Sequence, residues 1–478
     1  AVDGFRPGTA RATLAIGPMA RLNVPGMLAS LSAYPYGCTE QMTSRAMPLL
    51  YLSQVAQAMG LADAALIETR ISESVREVLQ NQTAEGAFGL WSAMSGDMWL
   101  DAYVTDFLSR ARAQGHAVPD QAFRRALDNL RNQVNYHADF DRGGEALAYA
   151  LLVLAREGGA AVGDLRYYAD VKGDAFATPL AQAQLGAALA AYGDQTRADA
   201  MFARAVRSLE ALPAQEARLW RADYGTHARD AAGLLALAAE AGSNAVNREA
   251  LVTRLMRAGG NASTQEAAWT LMAAQALLAD PGGAGITLNG AAPDGPLVRL
   301  LQGDGAPTVV ANGSNAATTL TVTTFGVPER AAPAQGNGYA IRRSYYTLEG
   351  KETTLEGIKV GDRLVTVIEV TPTDKAEARL IVADPLPAGF EIDNPNLLTG
   401  GSIARLEWLG LTDMVAHSEF RQDRFVTALD NYGDTVRMAY VVRAVSPGRF
   451  HHPAASVEDM YRPDYRATGA AGQVTIAE

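Results

Sequence analysis

The chain has 478 residues, a formal net charge of −11 at pH 7 and one cysteine, Cys38. The acidic balance argues against nucleic acid as a partner, because proteins that bind nucleic acid present a basic face. A single cysteine excludes an internal disulfide, so the domains must be held by packing alone. The length predicts more than one domain, and 48% hydrophobic residues can fill their cores.

The first strand-like segment is Arg11–Ile16, and the chain after it has helical periodicity as far as about residue 282. Short connections make successive helices antiparallel neighbours. Twelve helices in six hairpins is the number found in an α/α toroid, in which an outer ring of helices surrounds an inner ring. We predict helices at 22–33, 39–58, 62–81, 98–115, 119–134, 143–158, 162–171, 178–193, 195–210, 226–242, 246–258 and 263–279.

Local signals support several of these helix starts. Gly86 with Phe88 and Trp91 forms a glycine turn with aromatic anchors before the helix that opens at Trp99. The segments 224–230 and 263–269 each carry Ser or Thr where a helix N-cap is expected, because these side chains accept hydrogen bonds from free backbone N–H groups.

After residue 282 the pattern changes to Val, Thr and Ile alternating with polar residues, which is typical of strands. We predict two β-sandwich-like pieces, over 286–327 and 338–478. The early strand-like segment indicates that the toroid is inserted into a β domain, so that residues 1–20 and 282–336 pair across the insertion. The clearest predicted strands are Thr318–Thr324, Ile341–Leu348, Arg363–Val370, Glu377–Asp384 and Val436–Val445.

The most informative motif is Cys-x-Glu-Gln, formed by Cys38, Glu40 and Gln41. Residues three apart lie on the same side of a helical turn, so the cysteine and glutamine side chains can meet. A thiolate at a helix N-terminus can attack the glutamine amide carbon, expel ammonia and leave an internal thioester, which is a stored acyl electrophile. The alternative is a buried free cysteine at a helix start, which is a common place for this residue.

The segment Tyr34–Gln41 resembles the thioester region of bacterial α2-macroglobulins, and Trp99–Val104 resembles a helix start in the thioester domains of α2-macroglobulin and complement proteins. The resemblance covers nearly the whole chain. Further segments similar to the bacterial branch are Ala148–Ala155 and Ser263–Glu266 in later helices and Asp384–Ile392, Phe420–Phe425 and Val457–Tyr461 in its last macroglobulin-like domain.

The resemblance implies three domains: a discontinuous CUB-like β domain over 1–20 and 282–336, a thioester domain over 21–281, and a C-terminal macroglobulin-like domain over 337–478. It also implies that earlier macroglobulin domains and a protease-cleavable bait region precede this segment. The start at Ala1–Gly4 fits that expectation, since it looks like a cut edge rather than a natural N-terminus.

Three more residues belong to the predicted site. Tyr34 and Tyr36 flank the motif, and their rings would exclude water from a thioester, because aromatic rings combine an apolar body with a polar anchor. Packing before the helix explains both residues equally well, and the two interpretations are compatible. Glu40 is expected to support the motif at the helix N-terminus rather than to take part in acyl transfer.

His137 is the candidate activator. In the complement-type relatives a histidine followed by Gly-Gly is acylated first, and the released thiolate then lets hydroxyl groups attack. Here His137 precedes Gly143 and Gly144, with one residue more than the expected spacing. A neutral imidazole is a suitable nucleophile for this transfer. The alternative is a solvated loop histidine, in which case the thioester should prefer amines such as lysines.

The sequence predicts no cofactor and no metal site, because no cluster of His, Cys and Asp has zinc-ligand spacing. The leading hypothesis is a single-use protease inhibitor: bait cleavage exposes the thioester, which then acylates the attacking protease. A Cys38–His137 acyl-transfer enzyme and a thioester adhesin are the alternatives. The resemblance further implies a periplasmic, lipid-anchored bacterial protein, with proteases, its own earlier domains and a peptidoglycan synthase as partners.

Overall fold

The computed structural model describes residues 4–213, 216–277, 285–293, 297–301, 307–393, 410–411 and 415–478. The chain forms two compact units. One comprises Ala1–Glu216 and Arg221–Glu329, and the other comprises Ala217–Trp220 and Arg330–Glu478. Within the described ranges, no helix is both long and apolar enough to cross a membrane.

The first unit contains all the helices of the described residues. Apart from the short α1, which was not predicted, and the division of the predicted helix 39–58 into α3 and α4, their bounds follow the predicted spans closely. They are α1 Pro18–Arg21, α2 Val24–Ala33, α3 Thr39–Ala46, α4 Leu49–Ala58, α5 Ala64–Gln80, α6 Met98–Ala113, α7 Asp120–Asn135, α8 Glu145–Arg156, α9 Val162–Asp170, α10 Pro179–Ala191, α11 Gln195–Glu210, α12 His227–Glu240, α13 Arg248–Ala258 and α14 Thr264–Leu277.

These helices form the predicted α/α toroid. An inner ring runs through α3, α6, α8, α10, α12 and α14, and it closes where α14 packs against α3. Inner helices such as α6 are buried on nearly every side, whereas the outer helix α5 buries only the stripe Ile67, Ile71, Val75 and Val78. Because an outer helix carries the chain back after each inner helix, the inner helices all begin at the same end of the ring.

The single helix predicted over 39–58 is wrong. Two helices, α3 and α4, occupy this span and meet at Met47 and Pro48. Pro48 has no backbone N–H to donate to the preceding turn, so the helical hydrogen-bond ladder is interrupted there, although Met47 and Pro48 both keep helical backbone angles. The break matters for the site because it makes α3 a short helix of eight residues.

A small β structure in the first unit joins segments from either side of the helices. The strands of this unit are β1 Arg11–Ile16, β2 Ile286–Leu288, β3 Val298–Leu301, β4 Val310–Asn312 and β5 Leu320–Phe325. Strand β1 pairs antiparallel with β3 and β5, so Ala12 lies opposite both Leu301 and Thr324. Leu14 and Ile16 of β1 pack with Ile286 in a small core.

The predicted domain limits remain predictions. The limit at 281–282 and the first three residues lie outside the described residues. The limit at 336–337 falls inside a short strand, Gln335–Asn337, which pairs with Arg466–Thr468 of the second unit.

The second unit is a β-sandwich. Its strands are β6 Gln335–Asn337, β7 Tyr339–Tyr346, β8 Glu352–Thr353, β9 Arg363–Pro372, β10 Ala378–Pro385, β11 Phe390–Ile392, β12 His417–Phe420, β13 Arg424–Asn431, β14 Val436–Ala444, β15 Gly448–His452, β16 Ser456–Asp459, β17 Arg466–Thr468 and β18 Gly472–Ile476. A six-stranded sheet of order β12-β13-β10-β16-β17-β6 faces a five-stranded sheet of order β11-β14-β9-β7-β8. One core joins Leu380 and Phe425 of the first sheet to Ile368 and Tyr440 of the second.

The turn at Gly86 provides a test of the first unit. A Cβ added at Gly86 would lie 2.1 Å from the Arg125 carbonyl oxygen, and the residue has φ +98°, whereas Gly158 has φ +69° and open space around it. We expect Gly158→Ala to cost about 1 kcal/mol from the left-handed backbone alone. Gly86→Ala should cost at least about 3 kcal/mol, because backbone displacement is added.

The free energy of unfolding, measured by urea titration with helical circular dichroism as the signal, separates the two variants. Equal losses of stability in Gly86→Ala and Gly158→Ala would contradict the close approach of the turn to α7.

Candidate functional site

Cys38 and Gln41 lie at the buried start of α3, and both are 0% exposed. Cys38 is the N-cap residue, with an extended backbone (φ −71°, ψ 162°), and Gln41 occupies the third helical position. The two residues form a capping box, in which each side chain faces the backbone N–H of the other. This reciprocal arrangement normally uses Ser or Thr as the cap. With cysteine in that place, the capping geometry brings a thiol against a carboxamide.

The carboxamide of Gln41 is held at both ends. Its Oε1 accepts a hydrogen bond of 3.2 Å from the backbone N–H of Cys38, and its Nε2 donates one of 3.2 Å to the hydroxyl of Tyr34. A backbone N–H can only donate, so this contact fixes which end of the amide is oxygen. The carbonyl carbon is thereby fixed beside the cap residue with its nitrogen turned toward Tyr34.

Thr39 anchors the start of α3 to the turn that follows α5. Its backbone N–H donates to the Leu90 carbonyl at 2.8 Å, and its hydroxyl donates to the Gly89 carbonyl at 2.6 Å. Asn81 donates to the same hydroxyl at 2.8 Å. A Cβ on Gly89 would lie 1.9 Å from the Ser92 carbonyl oxygen, so this close approach requires glycine.

Glu40 is 0% exposed and faces the last inner helix rather than solvent. Its carboxyl oxygens accept hydrogen bonds from Ser44 at 2.5 Å, from the Gln265 amide at 2.7 Å, and from the Thr264 hydroxyl at 3.0 and 3.1 Å. Ser44 in turn contacts the hydroxyl of Tyr103 at 2.8 Å. Glu40 therefore connects the helix that carries Cys38 to the helix that closes the ring, and the site is fixed by ring closure.

Tyr34 and Tyr36 lie half-buried in the segment between α2 and α3. Their rings pack edge to face, with centroids 5.3 Å apart and an interplanar angle of 84°. Arg45 of α3 donates to the Tyr34 carbonyl at 3.4 Å. Tyr34 is thus fixed beside the Gln41 amide, and Tyr36 packs on its ring.

His137 lies in the loop between α7 and α8. Its Nδ1 contacts the Ala138 carbonyl at 2.7 Å, and its ring packs edge-on against Phe140, with centroids 5.7 Å apart. Gly144 caps α8 with φ +74°, and a Cβ there would lie 2.7 Å from the Phe140 ring. The loop leads into the N-terminal end of an inner helix, which is the same end of the ring as Cys38. The two contacts of the His137 ring, with Ala138 and Phe140, are both within its own loop. Its role as the activator of a thioester therefore stays a prediction.

The start of α14 is a second capping box. Ser263 accepts from the backbone N–H of Glu266 at 3.2 Å, and Glu266 accepts from the backbone N–H of Ser263 at 2.8 Å. Glu266 also accepts from the Thr226 hydroxyl at 2.5 Å, and Thr226 is the N-cap of α12. Both predicted N-caps are therefore confirmed, and they tie neighbouring inner helices together at the end of the ring where Cys38 lies.

Buried charges surround the same end of the ring. Burial raises the pKa of Asp101, which accepts hydrogen bonds from Phe88, Asn129 and Gln133. Burial alone would also raise the pKa of Asp223, but the guanidinium groups of Arg229 and Arg221 outweigh that effect and hold it below the usual range.

These buried charged residues position the loops that precede the inner helices.

Among the residues described, no group of three His, Cys, Asp or Glu is suited to a metal ion.

The buried partners of Glu40 were missed from the sequence, although one signal for them is present. Thr264 and Gln265 follow the N-cap of α14 at positions that an inner helix buries on all sides, and an unpaired polar side chain there would be costly. Such residues require a buried polar partner. The pairing with Glu40 joins positions 224 and 225 residues apart, and no local pattern contains that information.

Two family models match the chain. The model of the bacterial alpha-2-macroglobulin MG10 domain matches residues 338–464, and the model of the A-macroglobulin TED domain matches residues 11–152. Alpha-2-macroglobulin of Escherichia coli K12 is 33% identical over 99% of this chain, which covers 30% of that relative. The protein from Xylella fastidiosa Temecula1 is 29% identical over 99% of this chain and is covered to 31%.

Solved structures agree with these sequence matches. Native E. coli alpha-2-macroglobulin, in a structure that runs from domain MG7 to the C-terminus, has a TM-score of 0.84 at 29% identity, with 100% of this chain and 79% of that chain covered. Salmonella alpha-2-macroglobulin reacted with methylamine has a TM-score of 0.86 at 30% identity, with 100% and 32% covered.

A helical toroid of the TED type with Cys and Gln at the start of an inner helix, together with an MG10-type sandwich, defines a protein of the macroglobulin class. The chain belongs to the bacterial alpha-2-macroglobulin family and corresponds to its C-terminal region. It spans 30% of the length of the E. coli relative and 31% of the length of the Xylella relative.

The Glu40 network yields a prediction for the site. Glu40→Leu removes both acceptor oxygens, so the hydroxyls of Ser44 and Thr264 and the amide of Gln265 lose the acceptor that they share. We expect a loss of at least about 2 kcal/mol in the free energy of unfolding, because buried donors then lack their partner. The matched control is Glu73→Leu on the exposed face of α5, which should leave the urea midpoint nearly unchanged. A Glu40→Leu variant as stable as the Glu73→Leu variant would show that ring closure does not depend on this carboxyl group.

Proposed function

We propose that Cys38 and Gln41 form an internal thioester and that the chain is the reactive part of a single-use protease inhibitor. The observation that carries the proposal is the reciprocal capping box, which holds the Gln41 carboxamide against the cap cysteine in a fully buried site. The similar Salmonella protein has been solved after reaction with methylamine. Small amines are the nucleophiles expected to open a thioester, so that finding supports the same chemistry here.

The reaction balances without any cofactor. The sulfur of Cys38 bonds to the amide carbon of Gln41, the carbon–nitrogen bond breaks, and ammonia leaves with the proton that the thiol supplies. The product is an acyl electrophile stored in the protein. An amine or hydroxyl of a target then bonds to the Gln41 carbon and releases the thiol of Cys38. The bond is used once, so the protein is a trap and not a turnover enzyme.

The dry surroundings protect the bond until it is needed. A thioester in water hydrolyses. Cys38, Glu40 and Gln41 are each 0% exposed, so their burial keeps water away from the site. The hydroxyl of Tyr34 contacts the Gln41 amide, and the ring of Tyr36 packs edge to face on the Tyr34 ring. In this proposal the two tyrosines are the shield, and Glu40 supports the motif by holding α3 in the ring.

In the proposed cycle, a protease cleaves a bait region in the preceding part of the protein, and the thioester then acylates a lysine or hydroxyl of that protease. The earlier macroglobulin domains and bait are partners within the same protein. We place the protein in the bacterial periplasm, held by a lipid anchor, where a peptidoglycan synthase is a further candidate partner. Nucleic acid is not expected as a partner, because the net charge is −11.

A Cys38–His137 acyl-transfer enzyme is the runner-up, and a surface adhesin is the third candidate. The contacts of Cys38 favour the trap over the enzyme, because the group fixed at the cap cysteine is the Gln41 amide, while the His137 ring contacts Ala138 and Phe140. The MG10 match favours the inhibitor over an adhesin.

The proposal predicts the intact mass of the freshly prepared chain. We expect the chain to be lighter than its sequence by one ammonia, and methylamine should restore mass as the methylamide while freeing one thiol. The control is Cys38→Ala, which should have the full sequence mass and show no reaction. In the natural full-length protein, a challenging protease should become covalently attached to the wild type and not to Cys38→Ala.

The outcome that would refute the thioester is a freely titratable thiol together with an unmodified glutamine in the freshly isolated full-length protein. Repeated turnover of an ester substrate without consumption of the protein would instead support the Cys38–His137 enzyme.

The role of His137 yields a second prediction. If His137 is acylated first and passes the acyl group to hydroxyls, His137→Ala should lower the ratio of glycerol to methylamine adducts roughly tenfold or more, since a positioned catalytic group contributes at least that much. The control is His116→Ala, at a position whose imidazole contacts Glu68 at 3.0 Å. Mass spectrometry of the Gln41 peptide gives the ratio. An unchanged ratio in His137→Ala would make His137 a loop residue with no part in the transfer.

A further inference from the structure

The hydroxyl of Tyr34 lies 3.2 Å from Nε2 of Gln41, the nitrogen that leaves as ammonia when the proposed thioester forms. A shield against water needs only the aromatic ring and does not need a hydroxyl beside this atom. The position of Tyr34 is set from two sides: its backbone N–H donates to Leu31 at 3.3 Å as the C-cap of α2, and its carbonyl accepts from Arg45 of α3 at 3.4 Å. The phenol is therefore positioned at the leaving group.

We infer that Tyr34 is a catalytic residue of the thioester chemistry, with its hydroxyl protonating the departing nitrogen of Gln41. This inference rests on the proposed function, because it concerns a step of thioester formation. It assigns the ring and the hydroxyl of one tyrosine to different tasks: the ring covers the bond, and the hydroxyl transfers a proton.

The protonation state of nitrogen explains why a donor is needed there. In the ground state the amide nitrogen donates to Tyr34, since an amide nitrogen has no available lone pair. Attack by the sulfur of Cys38 turns the amide carbon tetrahedral and makes this nitrogen a basic amine. A hydroxyl at hydrogen-bond distance can then rotate and donate its proton, which is the arrangement that general acid catalysis requires.

The proton balance closes within the site. The sulfur–carbon bond forms, the Tyr34 proton moves to Nε2, and the carbon–nitrogen bond breaks to release ammonia. The proton lost by the thiol of Cys38 restores the hydroxyl of Tyr34. The negative charge that develops on Oε1 meanwhile faces the backbone N–H of Cys38, 3.2 Å away, which acts as an oxyanion donor.

The same hydroxyl serves the reverse step. When an amine attacks the finished thioester, the path runs back through the same tetrahedral arrangement, so the phenolic oxygen accepts the proton from the incoming nitrogen. Removal of the hydroxyl should therefore slow both the formation of the bond and its opening by amines. A tyrosine that only shields the bond gives the opposite result, because loss of a covering contact lets nucleophiles in faster.

The test uses Tyr34→Phe, which keeps the covering ring and removes only the hydroxyl. We expect the variant either to keep an unmodified Gln41 and a free thiol at the same melting temperature as wild type, or to form the bond and react with methylamine at least about tenfold more slowly, as expected for a lost general acid or base. Conversion of Gln41 to Glu in the variant would show that the bond had formed and hydrolysed, which contradicts the inference. The matched control is Tyr192→Phe, which loses a hydroxyl that donates to Ala160 at 2.6 Å at the end of α10. This control should behave as wild type.

A second measurement does not depend on the stability of any variant. The methylamine reaction of the wild-type chain should be slower in heavy water than in light water, because a proton moves in the limiting step. Equal rates in the two solvents, or a Tyr34→Phe variant that reacts as fast as wild type or faster, would overturn the inference. A free thiol together with an unmodified Gln41 in the freshly isolated wild type would instead refute the thioester itself.

Discussion

The hydrogen bond from the Cys38 backbone to the carboxamide of Gln41 is the contact on which the proposed chemistry depends. A helix start leaves several backbone N–H groups without partners, and the capping box satisfies them reciprocally. A structural device that normally stabilises a helix here also brings a nucleophile and an amide together. The pairing needs only local sequence, which is why a short motif within α3 can specify it.

The surrounding protein supplies what the motif cannot. A helix of eight residues is marginal by itself in water, so α3 must be held by its neighbours. Thr39 fixes its first residue to the turn after α5, and Glu40 fixes the next residue to α14, the last helix of the ring. The start of α3 thus becomes rigid only when the first and last inner helices have met.

The helices, and the pairing of the early strand Arg11–Ile16 with strands that follow the helices, were predictable from the sequence, because periodicity and turn chemistry are local properties. The fold class and the N-caps at Thr226 and Ser263 follow from such patterns and are confirmed. The prediction of one continuous helix over 39–58 is wrong, because the apolar periodicity runs on through Pro48 whereas the helical hydrogen-bond ladder does not. The partners of Glu40 could not be predicted, since they depend on ring closure over more than two hundred residues.

The buried polar network around Glu40 must either be complete or be replaced as a whole by apolar residues. A buried carboxyl group adds little net stability against an apolar residue of similar size, because its desolvation offsets its hydrogen bonds. Replacing Glu40 alone, however, would leave the Thr264 hydroxyl and the Gln265 amide in the core without the acceptor that they now share. An apolar replacement would therefore require all three to change together, and the network is better understood as fixing one arrangement of α3 than as adding stability. A reaction that depends on a carboxamide lying within bonding reach of one sulfur needs that kind of uniqueness more than it needs a larger free energy of folding.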